Sequence, residues 1–406
     1  MQSTNSTQTD YDIIIVGAGM SGCLLAYAIL KLSPEFTVLL LDDNAEQLNQ
    51  GEHPGFDGRC IALSAGSCDL LDQLGVWATL KQQAQPIDDI HISDRFHSGM
   101  LDLHKKEKAF GSVVELHNVG VIINEYLEKQ NKLARVYETT LTGVEKHIDK
   151  INCTLKTGEV ISAKLCVAAD GGNSLTRELF SIPSEVSDYG SSAIIANLHC
   201  SSHHNNKAYE RFTDAGPIAL LPLTDNRYAL VWSVADQDLI RLMRLNDADF
   251  LRELQLAFGF RAGIFESVGK RDSYPLKLTT TIKPVTHRGV AIGNAAHSLH
   301  PVMGQGFNLG LRDLFSLAKT ISEITDKNEL GDYLMLNKYW LDRKEDHNRT
   351  IKMTDSIVRV FSNDYFPFVV SRNIGLRLMS FFPYLVGPIV KQAEGRFNLF
   401  KRDKKL

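Results

Sequence analysis

The chain has 406 residues, of which 44% are hydrophobic and 23% are charged, and its formal net charge is −4. This length predicts two or three domains with an ample core. A negative charge balance offers no general basic surface for phosphates, so we expect no nucleic-acid partner. The six cysteines form no CxxC pair, so their spacing predicts neither a disulfide framework nor a metal site and suits a reducing compartment.

The N-terminus and the hydropathy pattern predict neither a signal peptide nor a single membrane-spanning helix. Residues 1–10 are polar and lack the basic and apolar regions of a signal peptide. No uninterrupted run of about 18 apolar residues occurs. We therefore expect a cytoplasmic protein with a frayed N-terminal tail.

The first recognisable unit is a strand, a glycine-rich loop and a helix. Residues 11–16 form a β-branched run typical of a strand buried on both faces of a parallel sheet. A GxGxxG loop follows, then a helical pattern over 23–32 and a second apolar strand that ends at Asp42. This context predicts dinucleotide binding, in which Asp42 accepts hydrogen bonds from ribose hydroxyls. The alternative is an ordinary βαβ turn. The predicted cofactor contacts of the loop are Gly17, Ala18, Gly19, Ser21 and Gly22.

Two further residues are candidate ligand contacts in the segments that follow. Arg59 ends a glycine-rich loop over 53–59, and its planar guanidinium could reach a pyrophosphate or a ring edge. The alternative is a solvent-facing arginine. Asn118 opens a helical pattern and is either an N-cap, which is the default, or a ligand contact.

The middle of the chain alternates between two kinds of region. Short strands over 87–114 and again over 189–274 indicate a separate sheet. Between them, a β-meander ends in an apolar strand and then Asp170-Gly171, which suits a second ligand loop at a strand's carboxyl end. Asp170 could instead cap the next helix. Apolar residues of the later strands form either a pocket wall or an ordinary sheet core: Phe212, Leu220, Leu221, Pro222 and Trp232.

A third glycine-rich loop, over 293–313, follows the short apolar strand 288–292. Its glycines surround Pro301 and run into a helical pattern. A tight loop that opens a helix offers free N–H groups and the positive end of the helix dipole, which suits an anionic or electron-rich ring edge. The alternative is a structural turn.

Beyond residue 321 the chain is helical, and residues 356–390 are apolar and aromatic, interrupted by arginines and prolines. We expect this tail to cover the core, to hold an apolar substrate or to contact a membrane surface, and core cover is the default expectation.

Together, the three loops resemble those of the single-component flavoprotein monooxygenases of the para-hydroxybenzoate hydroxylase type. The resemblance runs from about residue 12 to the helical tail. It implies that the first loop binds the FAD pyrophosphate, that Asp170-Gly171 supports FAD and a nicotinamide donor, and that the third loop cups the isoalloxazine with Pro301 beside its reactive edge. The contacts implied for the third loop are Gly293, Asn294, Pro301, Gly304, Gln305, Gly306, Phe307 and Asn308.

The implied fold is α/β, with a Rossmann-type FAD-binding domain interleaved with a β-sheet substrate domain, plus C-terminal helices. We assign residues 10–86, 113–182 and 281–340 to the FAD-binding domain. Residues 87–112 and 183–280 are assigned to the substrate domain, and residues 341–406 to the helical region.

Within that family, five segments look like the ubiquinone-biosynthesis hydroxylases: residues 53–64, 113–120, 210–222, 270–276 and 300–313. Asn294 replaces the aspartate usual in the wider family, and an amide can still bond a ribityl hydroxyl. This asparagine favours the branch that hydroxylates 2-polyprenyl-6-methoxyphenol.

The mechanism that this resemblance implies is carried by FAD. NAD(P)H or another donor reduces FAD, O₂ gives a flavin C4a-hydroperoxide, and one oxygen passes to the phenol ring. We expect no nucleophile–base dyad. His300 and Pro301 are the catalytic candidates, although His297 and His300 suit structural hydrogen bonding better than general-base catalysis.

Other readings remain open at this point. One is a sibling hydroxylase that acts at another ring position or on a small soluble aromatic. Another is a prenyl-binding carrier, against which the intact Gly304-Gln305-Gly306 argues. The resemblance is also compatible with peripheral membrane contact at the inner face and with a complex of ubiquinone-biosynthesis proteins.

Overall fold

The computed structural model describes residues 10–46, 59–105, 107–363 and 365–395. Our expectations for the N-terminal tail, for residues 53–58 and for the cationic end of the chain fall outside these residues. The strands are β1 Asp10–Val16, β2 Val38–Leu41, β3 Cys60–Ser64, β4 Gln85–Ile87, β5 Asp89–Asp94, β6 Met100–His104, β7 Gly111–Glu115, β8 Leu133–Val136, β9 Leu141–Lys146, β10 Ile151–Leu155, β11 Val160–Ala168, β12 Ser184–Cys200, β13 Lys207–Thr213, β14 Gly216–Leu223, β15 Arg227–Ala235, β16 Phe265–Val268, β17 Asp272–Thr281, β18 Val285–Thr286, β19 Gly289–Ala291 and β20 His297–Ser298. The α-helices are α1 Met20–Leu32, α2 Ala65–Gln73, α3 Trp77–Leu80, α4 Leu116–Leu127, α5 Leu175–Leu179, α6 Asp236–Arg244, α7 Asp247–Phe258, α8 Gln305–Ser322, α9 Tyr333–Phe361, α10 Phe366–Phe381 and α11 Gly387–Glu394.

The first sheet has a parallel centre in the order β19-β11-β1-β2-β8, and β18, β10 and β9 are added to it antiparallel. Ile13, Ile14 and Ile15 of β1 are all fully buried. Alternate residues of β1 pack against the helices α1, α4 and α8 on one face and against the β9–β11 hairpins on the other. The predicted strand buried on both faces is confirmed.

The second sheet is mainly antiparallel, in the order β20-β17-β12-β15-β14-β13-β5-β6. The early strands β5 and β6 join it through the parallel pairing of β5 with β13. The chain therefore enters this sheet early, leaves it, and returns with β12. A small sheet, β3-β7-β4, completes the strand pairings. The predicted α/β architecture is confirmed.

One apolar cluster joins the second sheet, the small sheet, the third loop and the C-terminal helices. We call it the central cluster. Its buried members are Ile87, Ile92, Leu101, Leu103, Phe110, Val113, Ala208, Phe212, Leu223, Ala229, Val302, Val358, Leu376 and Val386. The C-terminal helices therefore do cover part of the core.

No single helix in the described ranges is both long and apolar enough to cross a membrane. The pair Phe366–Phe381 and Tyr384–Glu394, bent by 118°, meets the length and composition criteria when taken together.

Helices α8 and α9 are joined by a buried ionic network. The Asp313 carboxylate accepts hydrogen bonds from Arg343 Nε at 2.7 Å and from His347 Nε2 at 2.8 Å. Burial alone would raise the pKa of Asp313, but His347 and Arg343 hold it well below its usual range. Asp313 is therefore ionised, and these two partners offset the free-energy cost of burying its charge.

We expect Arg343→Met to lower the free energy of unfolding by about 3 kcal/mol, because it removes a partner from the buried Asp313 charge. The matched control on the same helix is Arg349→Met, which breaks the exposed pair with Glu345 and should change stability by less than about 1 kcal/mol. Urea unfolding followed by circular dichroism measures both. Equal effects of the two substitutions would contradict the assigned role of the network.

Candidate active site

The first loop leaves the carboxyl end of β1 in a conformation that only glycine accommodates. Gly17 has φ +107°, and a Cβ built on it would lie 2.5 Å from the carbonyl oxygen of Ala169. A Cβ at Gly22 would lie 1.9 Å from the carbonyl oxygen of Gly17. Gly19 is the N-cap of α1 and contributes no side-chain cap. The loop thus presents the backbone N–H groups of a helix N-terminus, which is where a pyrophosphate binds.

Asp42 lies beside this loop. Its Oδ2 accepts a hydrogen bond from the Ala18 backbone N–H at 2.5 Å, and its Oδ1 accepts from the Asn44 backbone N–H at 2.8 Å. The parallel pairing of β1 with β2 produces this contact, because both strands end at the same edge of the sheet. The position suits the predicted ribose contact.

The Asp170-Gly171 loop lies at the same edge, after β11. Asp170 accepts hydrogen bonds from Ser174 Oγ and, at 3.0 Å, from the Thr176 backbone N–H. The N-cap of α5 is Ser174, so the alternative that Asp170 is the cap residue is wrong, although Asp170 accepts from a backbone N–H in the first turn of α5. A cofactor role for Asp170 and Gly171 stays a prediction.

Arg177 joins the second loop to the third, and the sequence analysis did not single it out. Its Nη1 donates to the carbonyl oxygens of Gly172 at 3.1 Å and Ala295 at 3.0 Å. The side chain is buried. A lone arginine in a short helical pattern gives no signal for such a role, since Ala295, its partner in the third loop, is distant in sequence.

The third loop touches the first directly. Gly293 has φ +55°, and a Cβ on it would lie 2.7 Å from Ser21 Oγ. A Cβ at Gly310 would lie 3.2 Å from the Gly293 Cα. Asn294 is exposed at this junction. The first turn of α1 and the second turn of α8 therefore meet at Gly293, so the first and third loops lie side by side.

The start of α8 forms a left-handed turn. Met303 has φ +55°, and Gly304, the N-cap, has φ +61° with no side-chain cap. A Cβ at Gly304 would lie 3.2 Å from the Ala62 Cβ. The turn is thus pressed against β3 and follows the half-buried Pro301.

The side chains of Asn308 and Gln305 hold this loop in place. Asn308 Nδ2 donates to the carbonyl oxygens of Ala62 and Gly304, and its Oδ1 accepts from the Ser64 backbone N–H and from Ser67 Oγ. Gln305 Nε2 donates to the Met303 carbonyl oxygen, and Gln305 Oε1 accepts from Gln392 of α11. These amides are used within the protein, so a cofactor contact at either position would involve the main chain.

The neighbouring Gly306 and Phe307 are half-buried in the first turn of α8. Gly306 faces Leu299, and Phe307 packs against the core of the first sheet. Their predicted cofactor contacts stay predictions.

Arg59 and Asn118 both lie near the start of α4. The Leu116 backbone N–H donates to the Arg59 carbonyl oxygen at 2.8 Å, which places Arg59 at the start of α4. The N-cap of α4 is Glu115, so the default assignment of Asn118 as the cap is wrong. Asn118 lies in the first turn of the helix, where its half-buried side chain leaves the ligand-contact alternative open.

His300 is buried, and burial lowers its pKa to about 4, so the imidazole is neutral near pH 7. Its Nδ1 accepts a hydrogen bond from the Val302 backbone N–H at 3.3 Å. The ring meets Tyr189 edge to face at 5.3 Å, and the Tyr189 hydroxyl donates to Asp355 at 3.0 Å. These contacts favour a structural hydrogen bond over general-base catalysis.

His297, Asp313 and His347 bring potential metal ligands within 4.8 Å of one another. However, Arg343 and His347 already bond the Asp313 oxygens, and Arg312 bonds the nearby Asp346. Burial, followed by the nearby His347, lowers the pKa of His297 to about 3. Guanidinium groups at this distance oppose a second positive charge, so the cluster is better described as an ionic network.

Glu210 is the acidic group that sequence reasoning missed. It lies on the same face of β13 as Ala208 and Phe212, which belong to the central cluster. Its carboxyl lies near the Met303 backbone N–H, and its Oε1 has no hydrogen-bond partner among the described residues. Burial raises its pKa to about 8. Glu210 is thus a positioning residue that links the second sheet to the third loop.

The predicted apolar wall is divided by strand alternation. Phe212 and Leu221 face the central cluster, and Phe212 stacks on Phe361 with ring centroids 4.1 Å apart. Leu220 and Trp232 pack on the opposite face, with α6 and α7. The five residues therefore do not form a single pocket wall, and Leu220 and Trp232 belong to a sheet core, because neighbouring residues of a strand point to opposite faces.

The three loops fit FAD as a group. Where the loops touch, glycines allow the backbones to approach more closely than a Cβ would permit. The N-termini of α1 and α8 lack side-chain caps, and the exposed amide of Asn294 lies where the first and third loops meet. A cofactor with a pyrophosphate and a polar chain matches this arrangement.

Comparisons with known proteins agree with this fit. The sequence profile of the FAD binding domain family matches residues 10–351. The ubiquinone hydroxylase UbiL of Rhodospirillum rubrum is 32% identical over 98% of this chain and 92% of its own length. The 3-demethoxyubiquinol 3-hydroxylase of Escherichia coli is 30% identical over 91% and 95% of the two chains. Among solved structures, p-nitrophenol 4-monooxygenase of Pseudomonas putida superposes with a TM-score of 0.78 at 17% identity, over 96% of this chain and 100% of that one.

We expect Gly293→Ala to weaken FAD binding by about tenfold or more, because its Cβ would collide with Ser21 and strain a positive φ. The matched control is Gly158→Ala, which has φ +87° but no atom within 4 Å of its Cβ. Flavin fluorescence titration measures both dissociation constants. Unchanged affinity in Gly293→Ala would contradict the assigned contact between the loops.

We expect Glu210→Gln to stabilise the protein relative to wild type increasingly as the pH rises. Between the ordinary glutamate pKa and about 8, the folded protein keeps a proton that the unfolded chain releases, so stability falls as pH rises through this window. The gain should be roughly 2–3 kcal/mol larger near about pH 9 than near about pH 6, because about two pH units of this window lie above pH 6.

Urea unfolding at both pH values, with FAD saturating, tests this expectation. The exposed Glu266→Gln serves as the control. A Glu210→Gln effect that is independent of pH would contradict the buried, protonated carboxyl.

Proposed function

The chain belongs to the FAD binding domain family, and from this premise we propose that it hydroxylates the ring of a polyprenylated phenol in ubiquinone biosynthesis. It is an FAD-dependent hydroxylase. The specific reaction we propose converts a 2-polyprenyl-6-methoxyphenol to the 1,4-benzoquinol. The observation that supports a prenylated substrate most is the central cluster, which sets apolar side chains of the second sheet and the C-terminal helices directly against Val302 and Met303 of the third loop.

FAD, when bound and reduced by NAD(P)H or another donor, supplies the activation of O₂. The protein's own task is to hold the ring and exclude water. The first turn of α1 and the second turn of α8 meet at Gly293, which supports a cofactor that spans the first and third loops. The central cluster and the neutral His300 surround the third loop with groups of low polarity, which limits the access of water to the reacting atoms.

The second candidate is a sibling hydroxylase that acts at another ring position. The 30% identity to a 3-demethoxyubiquinol 3-hydroxylase, a protein named for a different position, favours this alternative over a small soluble aromatic substrate. For either substrate, we propose that the enzyme works on the inner side of the membrane, in a complex with other ubiquinone-biosynthesis proteins, because a polyprenylated substrate resides in lipid.

A strain that lacks this protein should accumulate the prenylated methoxyphenol, and mass spectrometry of its quinone intermediates measures this. Purified FAD-loaded protein should convert the same compound with a donor and ¹⁸O₂, placing one ¹⁸O atom in the product. Accumulation of a later intermediate would instead support the sibling hydroxylase. Gly293→Ala, which should bind FAD more weakly, is the comparison for how far product formation depends on bound FAD.

A further inference from the structure

Helix α10 turns an apolar side to solvent. Phe366, Val370, Ile374 and Phe381 recur at intervals of about one or two turns and share one side of the helix. Phe366 and Phe381 are each 76% exposed, and Ile374 is 52% exposed. A helix on the surface of a globular protein normally shows the reverse pattern, with its apolar side buried.

The inward side of α10 explains why the helix cannot simply rotate. Arg372 is buried, and its Nε donates to Asp94 Oδ2 at 2.8 Å. Asn373 Nδ2 donates to the same oxygen at 2.9 Å, and Asn373 Oδ1 accepts from the Gly99 backbone N–H at 2.6 Å. Polar side chains thus fasten α10 to the second sheet. Its outward apolar side is therefore a fixed feature of the fold.

The apolar surface continues past the end of α10. Phe382, Tyr384 and Leu385 are 44%, 76% and 41% exposed. Together with the outward side of α10, they form one aromatic patch, which we call the C-terminal patch. Exposed aromatic groups this dense are unusual on a monomer and mark an interaction surface.

The segment that forms the C-terminal patch carries charges of one sign. Residues 365–393 contain three cationic side chains and no aspartate or glutamate. Two of the cations, Arg377 and Lys391, are exposed, and Arg377 lies on the outward side of α10. Residues 396–405 add five lysines and arginines against one aspartate. Aromatic residues with interspersed cations are the combination that binds an anionic lipid surface.

We propose that the C-terminal patch docks the protein peripherally on an anionic lipid bilayer. The patch lies in the headgroup region, with its aromatic side chains in the acyl boundary and Arg377 and Lys391 against lipid phosphates. The inner side of α10 contributes Leu376 to the central cluster, the turn after α10 contributes Val386, and the cluster also contains Val302 of the third loop. Docking therefore brings the loop that would cup the flavin ring close to the bilayer, whatever phenol the enzyme hydroxylates.

The test uses the full chain with FAD and vesicles of phosphatidylglycerol and phosphatidylethanolamine, compared with pure phosphatidylcholine. Wild type should co-sediment with the anionic vesicles and dissociate as salt is raised. Ile374→Glu combined with Phe381→Glu should lower the partition coefficient by about tenfold or more. The matched control is Leu256→Glu, a helical aliphatic residue that is 69% exposed on α7.

Several outcomes overturn the proposal. One is a wild type that does not bind anionic vesicles, and another is a double variant that binds them as wild type does. A third comes from size-exclusion chromatography without lipid. If the wild type is a dimer, the double variant is a monomer and neither binds vesicles, the patch is an interface between two copies. Binding only when another pathway protein is added would make it a protein-docking surface.

Activity with a short-chain, water-soluble phenol separates this proposal from the hydroxylase function. The double variant should keep wild-type turnover of such a phenol and wild-type FAD content, because its substitutions lie on the outer side of α10. Vesicle binding without hydroxylation would refute the proposed reaction and leave the docking surface standing. Hydroxylation without vesicle binding would do the opposite.

Discussion

The rest of the structure depends on a backbone contact that side chains would prevent. Gly17 lies against Ala169, and Gly293 lies against Ser21, each closer than a Cβ allows. These contacts bring the first and third loops and the start of the Asp170-Gly171 loop to one edge of the parallel sheet. The first turn of α1 and the second turn of α8 then lie on either side of Gly293, and Arg177 joins the second loop to the third through the carbonyl oxygens of Gly172 and Ala295. The cofactor-binding region is in this sense a consequence of missing side chains.

The opposite wall of the site comes from a different part of the chain. The second sheet and the C-terminal helices enclose the third loop in apolar side chains, so polar groups there must be neutral or paired. His300 and Glu210 follow this rule, because burial keeps the first unprotonated and the second protonated near pH 7. The buried charges nearby are paired, as Asp313 is with Arg343 and His347 in the network between α8 and α9.

The sequence alone determined the parallel sheet, its three loops and the helical tail. Each is a local pattern, namely an apolar run followed by glycines or a helical repeat, and local patterns survive in any tertiary context. The position of Asp42 beside the first loop could also be predicted, since parallel neighbouring strands end at the same edge. The family resemblance arose from the same loops and not from the strands of the second sheet.

Only the tertiary structure decided what distant segments do to one another. Glu210 looks like an ordinary strand residue until Met303, more than ninety positions away, is placed against it. Asn308 and Gln305 look like ligand contacts until Ser64 and Gln392 occupy their amides. Helical periodicity shows that Phe366, Ile374 and Phe381 share a side of α10. Only the bond from Arg372 to Asp94 shows that this side faces outward, because a pattern in one helix cannot specify which surface the fold leaves uncovered.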